Sequence, residues 1–537
     1  MTSIPHKVNR FAAFAAPAAA ALLAGIVLFT SPYCASDLDI VPDSVEYAVG
    51  AVNALETGSY HIVVDNTRYP PRYTPWFSLI FLSPAYALLG TGIGNGIYPV
   101  FLFATAGIVI AFLIGRKAAG AWGGLFASLA LLALPLYREY SGVIMTDVPS
   151  TVLVLGGCLL YVRMRRRKQK SAFSYLDAGI LTALAAGLRP ALGVMVLPFI
   201  LLAVNAGRRA GRLVRTVLLV IPPAAAAVAT LRYNALTFGS PWRSGYNFWC
   251  PVPYDYPGMV FSPVYLGANS RAIASSGLLA LLLCGLVLLP VLGRIFRSTD
   301  ETRSPAPLRP LAEYAALVSA FLILPHLFYF HSEPRFFLPA FALLLILTAS
   351  AAAVYIRKIP VRMVLPILLA GAVFSAAGRF TAAGSAPLRR LTADRLKRRT
   401  PDNALIVSAV DPAYLEHMVS SRSSRTIVPV SRRVEYADKL IAPGPIADPV
   451  PPPEGPLDHR CPGLRAGGAG EAVRYTALEK LPELAILAGT DVPVYIETGH
   501  FTPAETAAFF EYPGMELCPV DVCLYRVRVQ TRTKDDG

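Results

Sequence analysis

The sequence predicts an α-helical polytopic membrane protein of about eleven transmembrane helices with a small α/β domain at its C-terminus. Three observations carry this. The 537 residues are 54% hydrophobic and only 15% charged, where an ordinary soluble chain is about 25% charged. Apolar runs of about 18–20 residues recur up to residue 378, the length that crosses a bilayer core. Lys and Arg collect at every second turn between these runs, as the positive-inside rule requires. The net charge of +15 is therefore a topology signal. Because the basic residues are dispersed between apolar segments, it does not indicate a nucleic-acid partner.

The first span covers about residues 11–30 and runs outward behind Lys7 and Arg10. Its length exceeds a signal-peptide core, and Ser31-Pro32-Tyr33 is no cleavage site, so it reads as a retained helix. An outer loop follows, 31–97. Its segment 76–90 is apolar but short and broken by Pro84, which suits an interfacial or re-entrant piece. A full span there would turn the basic run Arg163–Lys170 outward. Spans 2 (98–115) and 3 (119–136) meet at the inner Arg116-Lys117. Span 4 (149–163) returns to the basic run. Spans 5 (175–188) and 6 (191–205) form a hairpin with Arg189-Pro190 at its outer tip, and span 7 (213–231) leads out through Pro222-Pro223. The second large outer loop, 232–275, is rich in aromatic residues. Spans 8 (276–293), 9 (311–329), 10 (336–355) and 11 (361–378) complete a membrane module of residues 1–380.

Residues 381–537 are polar and proline-rich. Short apolar runs at 404–410, 426–430, 492–498 and 524–530 read as strands, with helical pieces near 411–419 and 503–511, a small extracytoplasmic α/β domain. Residues 443–470 form a loop with little packing potential. The seven cysteines show no metal-ligand spacing. Outside the cytoplasm Cys461 could bridge to Cys518 or Cys523; the pairing does not follow from spacing.

Chemistry concentrates after the first span. The stretch 34–75 holds Asp37, Asp39, Asp43, Glu46, Glu56 and Asp65, then switches to Arg68-Tyr69-Pro70-Pro71-Arg72-Tyr73. On a helix, Asp43 and Glu46 share one face, and a carboxylate at the mouth of a bundle can take a proton from a hydroxyl. The same two residues also fit a helix start, with Asp43 as N-cap and Glu46 at the capping-box position. Arg68, Arg72 and Arg335 suit a phosphate, whose geometry guanidinium matches in bidentate fashion; arginines at membrane edges also snorkel to headgroups. Arg335 heads a span, where an ionisable residue implies function. Asp147 begins an outward-facing helix, as a catalytic carboxylate or a cap. His331 and Glu333 make a meagre metal pair, and metal dependence stays open. Tyr246 and Trp249, with Phe248, Tyr254 and Tyr256, could stack on a sugar or form an interfacial belt.

Five motifs stand in order along the first 350 residues: PDSVEY, YPPRYTP, TDVPS, YNALTFGSPWRSGY and EPRFFLPA. As an ordered set, with a soluble outer C-terminal domain, they resemble the GT-C class of polytopic glycosyltransferases, such as the protein O-mannosyltransferases and bacterial aminoarabinose transferases. The chain departs from that pattern at Ser44, where many members have a second acidic residue after the first. The resemblance implies a multi-pass enzyme of the inner (plasma) membrane with a GT-C-like fold. It would move a sugar from a polyprenyl-phosphate donor to a lipid, glycan or protein acceptor at the outer face. Asp43 would then be the base, with Glu46 and Asp147 as further catalytic candidates; Arg335, with Arg68 or Arg72, would hold the phosphate. Tyr69, Tyr246, Trp249, His331 and Glu333 would complete the substrate site. A flippase of lipid-linked sugars would use the same arginines, but the long acidic loop and the lack of an internal repeat argue against it. A non-catalytic subunit of envelope assembly is the third reading.

Overall fold

The computed structural model describes residues 42–64, 67–166, 171–205, 209–249, 254–273, 308–331, 333–356, 388–410, 412–420, 423–429, 492–501 and 503–529. Spans 1, 8 and 11 lie outside them, as do Cys461 and the loop 443–470.

Helix α1 (Pro42–Thr57) opens the described chain. Its Pro at the first helical position has no N–H to leave unsatisfied. The helix packs Val45, Ala48, Val49 and Val52 into the main core. A two-stranded hairpin of β1 (Ile62–Val64) and β2 (Thr67–Tyr69) follows. The apolar segment α2, Ser78–Leu89, begins with a π turn and is 12 residues long. At 1.5 Å per residue it extends about 18 Å, short of a bilayer core.

Helix α3 (Ile97–Ala133) is two antiparallel legs. Ala119 and Gly120 leave the helical backbone between them, Gly120 at φ +78°, a conformation glycine adopts without steric penalty. The legs then run back along each other, with Ser128 Oγ against the Ile108 carbonyl at 3.4 Å. These legs are the helices expected at 98–115 and 119–136. A short α4 (Pro135–Ser141) leads to α5 (Asp147–Arg166), the most deeply enclosed long helix. Helix α6 (Phe173–Leu188) turns at Arg189 into a 3₁₀ turn, Pro190–Met195, and α7 (Val196–Val204).

Helix α8 (Arg209–Phe238) carries Leu213, Val217, Ile221 and Val228 exposed along its length. An apolar stripe of that extent suits lipid rather than water. It runs seven residues beyond the expected end of span 7. Hydropathy falls after Leu231, but no helix breaker occurs until Gly239, which takes the positive φ of a helix terminator. The loop expected at 232–275 is thus partly helical, with α9 (Gly245–Trp249) and α10 (Leu266–Ile273). Helices α11 (Arg309–Leu327) and α12 (Leu338–Ile356) follow; α12 packs closely on α3. Among the described residues five segments are long and apolar enough to cross a membrane: Ile93–Ala133, Asp147–Arg166, Gly211–Phe238, Arg309–Leu327 and Pro334–Val354. The pair expected as spans 5 and 6 is present as Phe173–Leu188 and Pro190–Val204, each shorter than those five segments.

Beyond the basic helix α13 (Leu388–Arg399) lies a five-stranded mixed sheet, β4-β3-β5-β7-β6. Strands β3 (Leu405–Ser408), β4 (Thr426–Pro429) and β5 (Val494–Glu497) are parallel; β7 (Leu524–Val529) and β6 (Met515–Asp521) run antiparallel. Residues 412–420, here α14, join β3 to β4 as one α-helical turn and one π turn, and α15 (Pro503–Phe510) precedes β6. Strand alternation divides the apolar residues. Leu405, Val407, Val494 and Ile496 meet Phe509 of α15, whereas Ile406 and Tyr495 join the core that contains α1. Strand β6 had no sequence signal because Cys518 and Pro519 interrupt its alternation.

Candidate active site

A cavity of ≈ 370 Å³ opens where α1, the 72–74 loop, the α6 tip, α9 and the start of α12 converge. Asp43 lines it. One carboxylate oxygen meets Arg72 Nη2 and the other Arg335 Nη1, both at 3.1 Å. Glu46, one turn on, accepts from the Arg72 backbone N–H at 2.6 Å and from Arg72 Nη2 at 3.1 Å. The capping-box expectation therefore gives way: the helix begins at Pro42, and Glu46 points across to Arg72 rather than back along its own backbone. The shared face expected for Asp43 and Glu46 is present, and Arg72 occupies it.

Burial pushes the Asp43 carboxyl up, but the charges of Arg72 and Arg335 outweigh it and hold its pKa below the ordinary aspartate value. Asp43 is ionised at neutral pH and tightly paired. Arg335 also pairs with Glu333, which in turn meets His331 Nε2 at 3.1 Å. Among the described residues no three His, Cys, Asp or Glu side chains gather as a metal site.

A second ion pair joins the cavity wall at Arg189. Arg189 donates from Nη2 to Asp147 Oδ1 at 2.6 Å and from Nε to Thr146 at 3.1 Å. Asp147 is fully buried, and its Oδ2 has no hydrogen-bond partner among the described residues. The Phe336 ring lies near both guanidiniums, 5.8 Å from Arg189 and 5.4 Å from Arg335. Arg189 was not among the candidates from sequence. The available signal was an arginine at the tip of an apolar hairpin, where a charge implies a partner.

Tyrosines form the remaining wall. Tyr73 stacks on Tyr47 at 4.4 Å, Tyr246 meets Tyr73 edge-on at 5.7 Å, and Tyr254 bonds to Tyr329 through their hydroxyls at 2.7 Å. Burial, ahead of the opposing Arg72 charge, pushes the Tyr73 and Tyr246 phenols up. Both stay neutral hydroxyls that can donate to or accept from a sugar.

Glu46, Asp147 and Glu333 stand behind the lining, paired with Arg72, Arg189 and Arg335, and three further candidates lie off both the cavity and its ion pairs. Arg68 sits exposed on β2. Trp249 is buried and donates to the Pro70 carbonyl at 2.8 Å, with Tyr69 edge-on at 5.5 Å. These two aromatics pin α9 to the segment that follows β2. Gly245 completes the clasp, since a Cβ there would stand 2.2 Å from the Arg72 carbonyl oxygen. Gly245→Ala is expected to displace the Arg72 loop, lowering stability by about 1–3 kcal/mol and weakening donor binding. Gly258→Ala, where a Cβ meets nothing within 4 Å, is the control. Thermal unfolding and donor KM check it, and equal behaviour of the two variants would remove the clasp argument.

Residues 72–232 match the family described as dolichyl-phosphate-mannose-protein mannosyltransferase. No curated protein sequence matches the chain. Among solved structures, ArnT from Cupriavidus metallidurans bound to undecaprenyl phosphate superposes with a TM-score of 0.57 at 13% identity, covering 95% of this chain and 97% of that one. The apo state of the same protein gives 0.58 at 13% identity, over 96% and 98%. In sequence pattern over residues 72–232, and in fold over nearly its whole length, the chain is similar to the polytopic membrane glycosyltransferases of the GT-C class.

Proposed function

We propose that the protein is an integral-membrane glycosyltransferase that moves a sugar from a polyprenyl-phosphate donor to an acceptor hydroxyl at the outer face of the membrane. The observation that carries this is Asp43 held between Arg72 and Arg335 at the mouth of the helical bundle. A lipid phosphate keeps the reactive sugar carbon at the interface, and phosphate leaves readily. The protein then needs cations for the departing phosphate and a base for the attacking hydroxyl, around an oxocarbenium-like transition state. Arg72, Arg335 and Arg189 supply the cations, and the tyrosine wall supplies a surface for the sugar.

The tight pairing of Asp43 has a chemical consequence. A carboxylate shared by two guanidiniums is a weak base. A phosphate entering between Arg72 and Arg335 competes for the same N–H groups and releases Asp43 from part of that pairing. Its basicity then rises when donor is bound, which links proton removal to an occupied site. Arg68 has no part in this scheme; Arg189, paired with Asp147 on the cavity wall, takes the place expected for it.

The test is to incubate the purified full-length protein with radiolabelled polyprenyl-phosphate sugars and lipid, glycan and protein acceptors. Label appearing in an acceptor is the expected result. Movement of intact donor across proteoliposomes with no transfer would make the protein a carrier instead.

A further inference from the structure

A second cavity, of ≈ 590 Å³, lies between α5, α7 and α11. Asp147 opens α5 behind the Asp43 cavity, and Arg165 stands in its last turn on the second one. At 1.5 Å per residue about 27 Å separates the two residues, close to the roughly 30 Å of a bilayer core. The second cavity therefore belongs to the opposite membrane face. Arg163, Arg165 and Arg166 end α5 there, the side that the positive-inside rule assigns to the cytoplasm.

The lining is polar at one end and apolar along the rest. On α11, Glu313, Leu317 and Ala320 share one face, spaced by four and three residues. On α7, Pro198, Leu201 and Asn205 repeat that pattern in reverse, with the polar residue last. Glu313 pairs with Arg165, so α11 starts at the basic end of α5. Helix α7 follows the turn at Arg189 beside the Asp43 cavity, and so it ends where α11 starts. Asn205 and Glu313 thus mark the water side. From Glu313 to Ala320 the groove runs about 10 Å into the membrane. Leu201 and Ala320 are exposed on the outside of the bundle.

The charges at the polar end do not cancel. Arg165 gives Nε and Nη2 to the Glu313 carboxylate, Arg309 gives its Nε, all at 3.0 Å, and Tyr161 adds its hydroxyl at 3.1 Å. Two guanidiniums on one carboxylate leave one positive charge in excess. Both arginines are exposed, and Nη1 of Arg165 and both Nη groups of Arg309 have no partner among the described residues. Guanidinium N–H groups in that fork suit a phosphate. A small soluble anion would gain little from exposed, salt-screened cations and would leave the apolar stripe uncovered. A neutral lipid would cover the stripe and leave the excess charge unanswered. An amphiphile with a net negative headgroup meets both demands, and basic pockets between transmembrane helices select such lipids. We propose that this groove is a binding site for an anionic phospholipid of the inner leaflet. The headgroup lies on Arg165 and Arg309, and one acyl chain follows Leu201, Leu317 and Ala320. The site is separate from the transferase reading and stands without it.

Native mass spectrometry of the full-length detergent-purified protein tests this, with phosphatidylglycerol and phosphatidylcholine of identical acyl chains as probes. Wild type is expected to hold one phosphatidylglycerol per chain, at least tenfold more tightly than phosphatidylcholine. Arg309→Gln removes the excess charge and leaves Glu313 its Arg165 partner. Ala320→Trp fills the apolar part from an exposed position. Each should weaken phosphatidylglycerol binding at least tenfold, and Arg309→Gln should also erase the preference over phosphatidylcholine. Leu236→Trp, on the exposed stripe of α8, should change neither, which separates a built site from lipid spread around the whole bundle. Thermal unfolding verifies that each variant is folded, and Ala320→Trp keeps the test open if Arg309→Gln unfolds. Equal affinity of wild type for the two lipids, an equal loss in Leu236→Trp, or unchanged phosphatidylglycerol affinity in folded Ala320→Trp would overturn the site.

Discussion

Asp43→Asn is expected to lower sugar transfer by about 10²–10⁴-fold, the usual contribution of a positioned general base, at unchanged protein level. The fold should survive, because Arg72 keeps Glu46 and Arg335 keeps Glu333 when the Asp43 charge is lost. The variant therefore separates chemistry from stability. Donor binding should not weaken, since the amide competes less than the carboxylate for the two guanidiniums. A pH series adds a second reading. Asp43 has its pKa lowered by folding, so its pairing stabilises the protein above the ordinary aspartate pKa and is lost as pH falls through the lowered one. Wild-type and Asp43→Asn melting temperatures should converge on acidification. Normal transfer by Asp43→Asn would end the base assignment.

Arg72→Met should be the most destabilising single change at the site. Arg72 and Glu46 side chains are 9% and 7% exposed. Removing the cation takes the Arg72 guanidinium away from Glu46 and leaves Asp43 with half of its pairing. Breaking a buried ion pair from one side typically destabilises by about 3–5 kcal/mol. Adding Glu46→Gln should recover part of that loss, because the second change removes a buried carboxylate that has lost the Arg72 guanidinium; the two effects are not additive. Chemical or thermal unfolding of the single and double variants reads this directly. A loss under about 1 kcal/mol for Arg72→Met would mean that water already solvates the cluster, contrary to the burial on which the site argument depends.

The ordered motifs made much of the candidate site legible in the sequence. PDSVEY, YPPRYTP, TDVPS and EPRFFLPA contribute Asp43, Arg72, Asp147 and Arg335, and these four converge. Tyr246 and His331 line the cavity with Asp43, Arg72 and Arg335, and Asp147 reaches it through Arg189. Arg68 and Arg72 were indistinguishable in sequence, four residues apart in one basic, aromatic run. The hairpin of β1 and β2 separates them: Arg68 falls on its exposed face, and Arg72 lies past its end against α1. By sequence Trp249 could stack on a sugar or belong to an interfacial belt. Its indole N–H is instead committed to the Pro70 carbonyl, 179 residues away in the chain.

What the sequence alone determined is what length and composition can encode. Apolar runs, basic turns and alternating segments marked the helices α3, α5, α11 and α12 and four strands of the sheet, because burial in lipid or in a core is paid residue by residue along a local stretch. Tertiary structure alone decided which guanidinium faces which carboxylate. Asp43 meets partners 29 and 292 residues distant, and Arg189 reaches Asp147 because a short hairpin sets its tip beside α5. Charge pairing depends on separations of a few ångströms, and only the packing of distant elements fixes those.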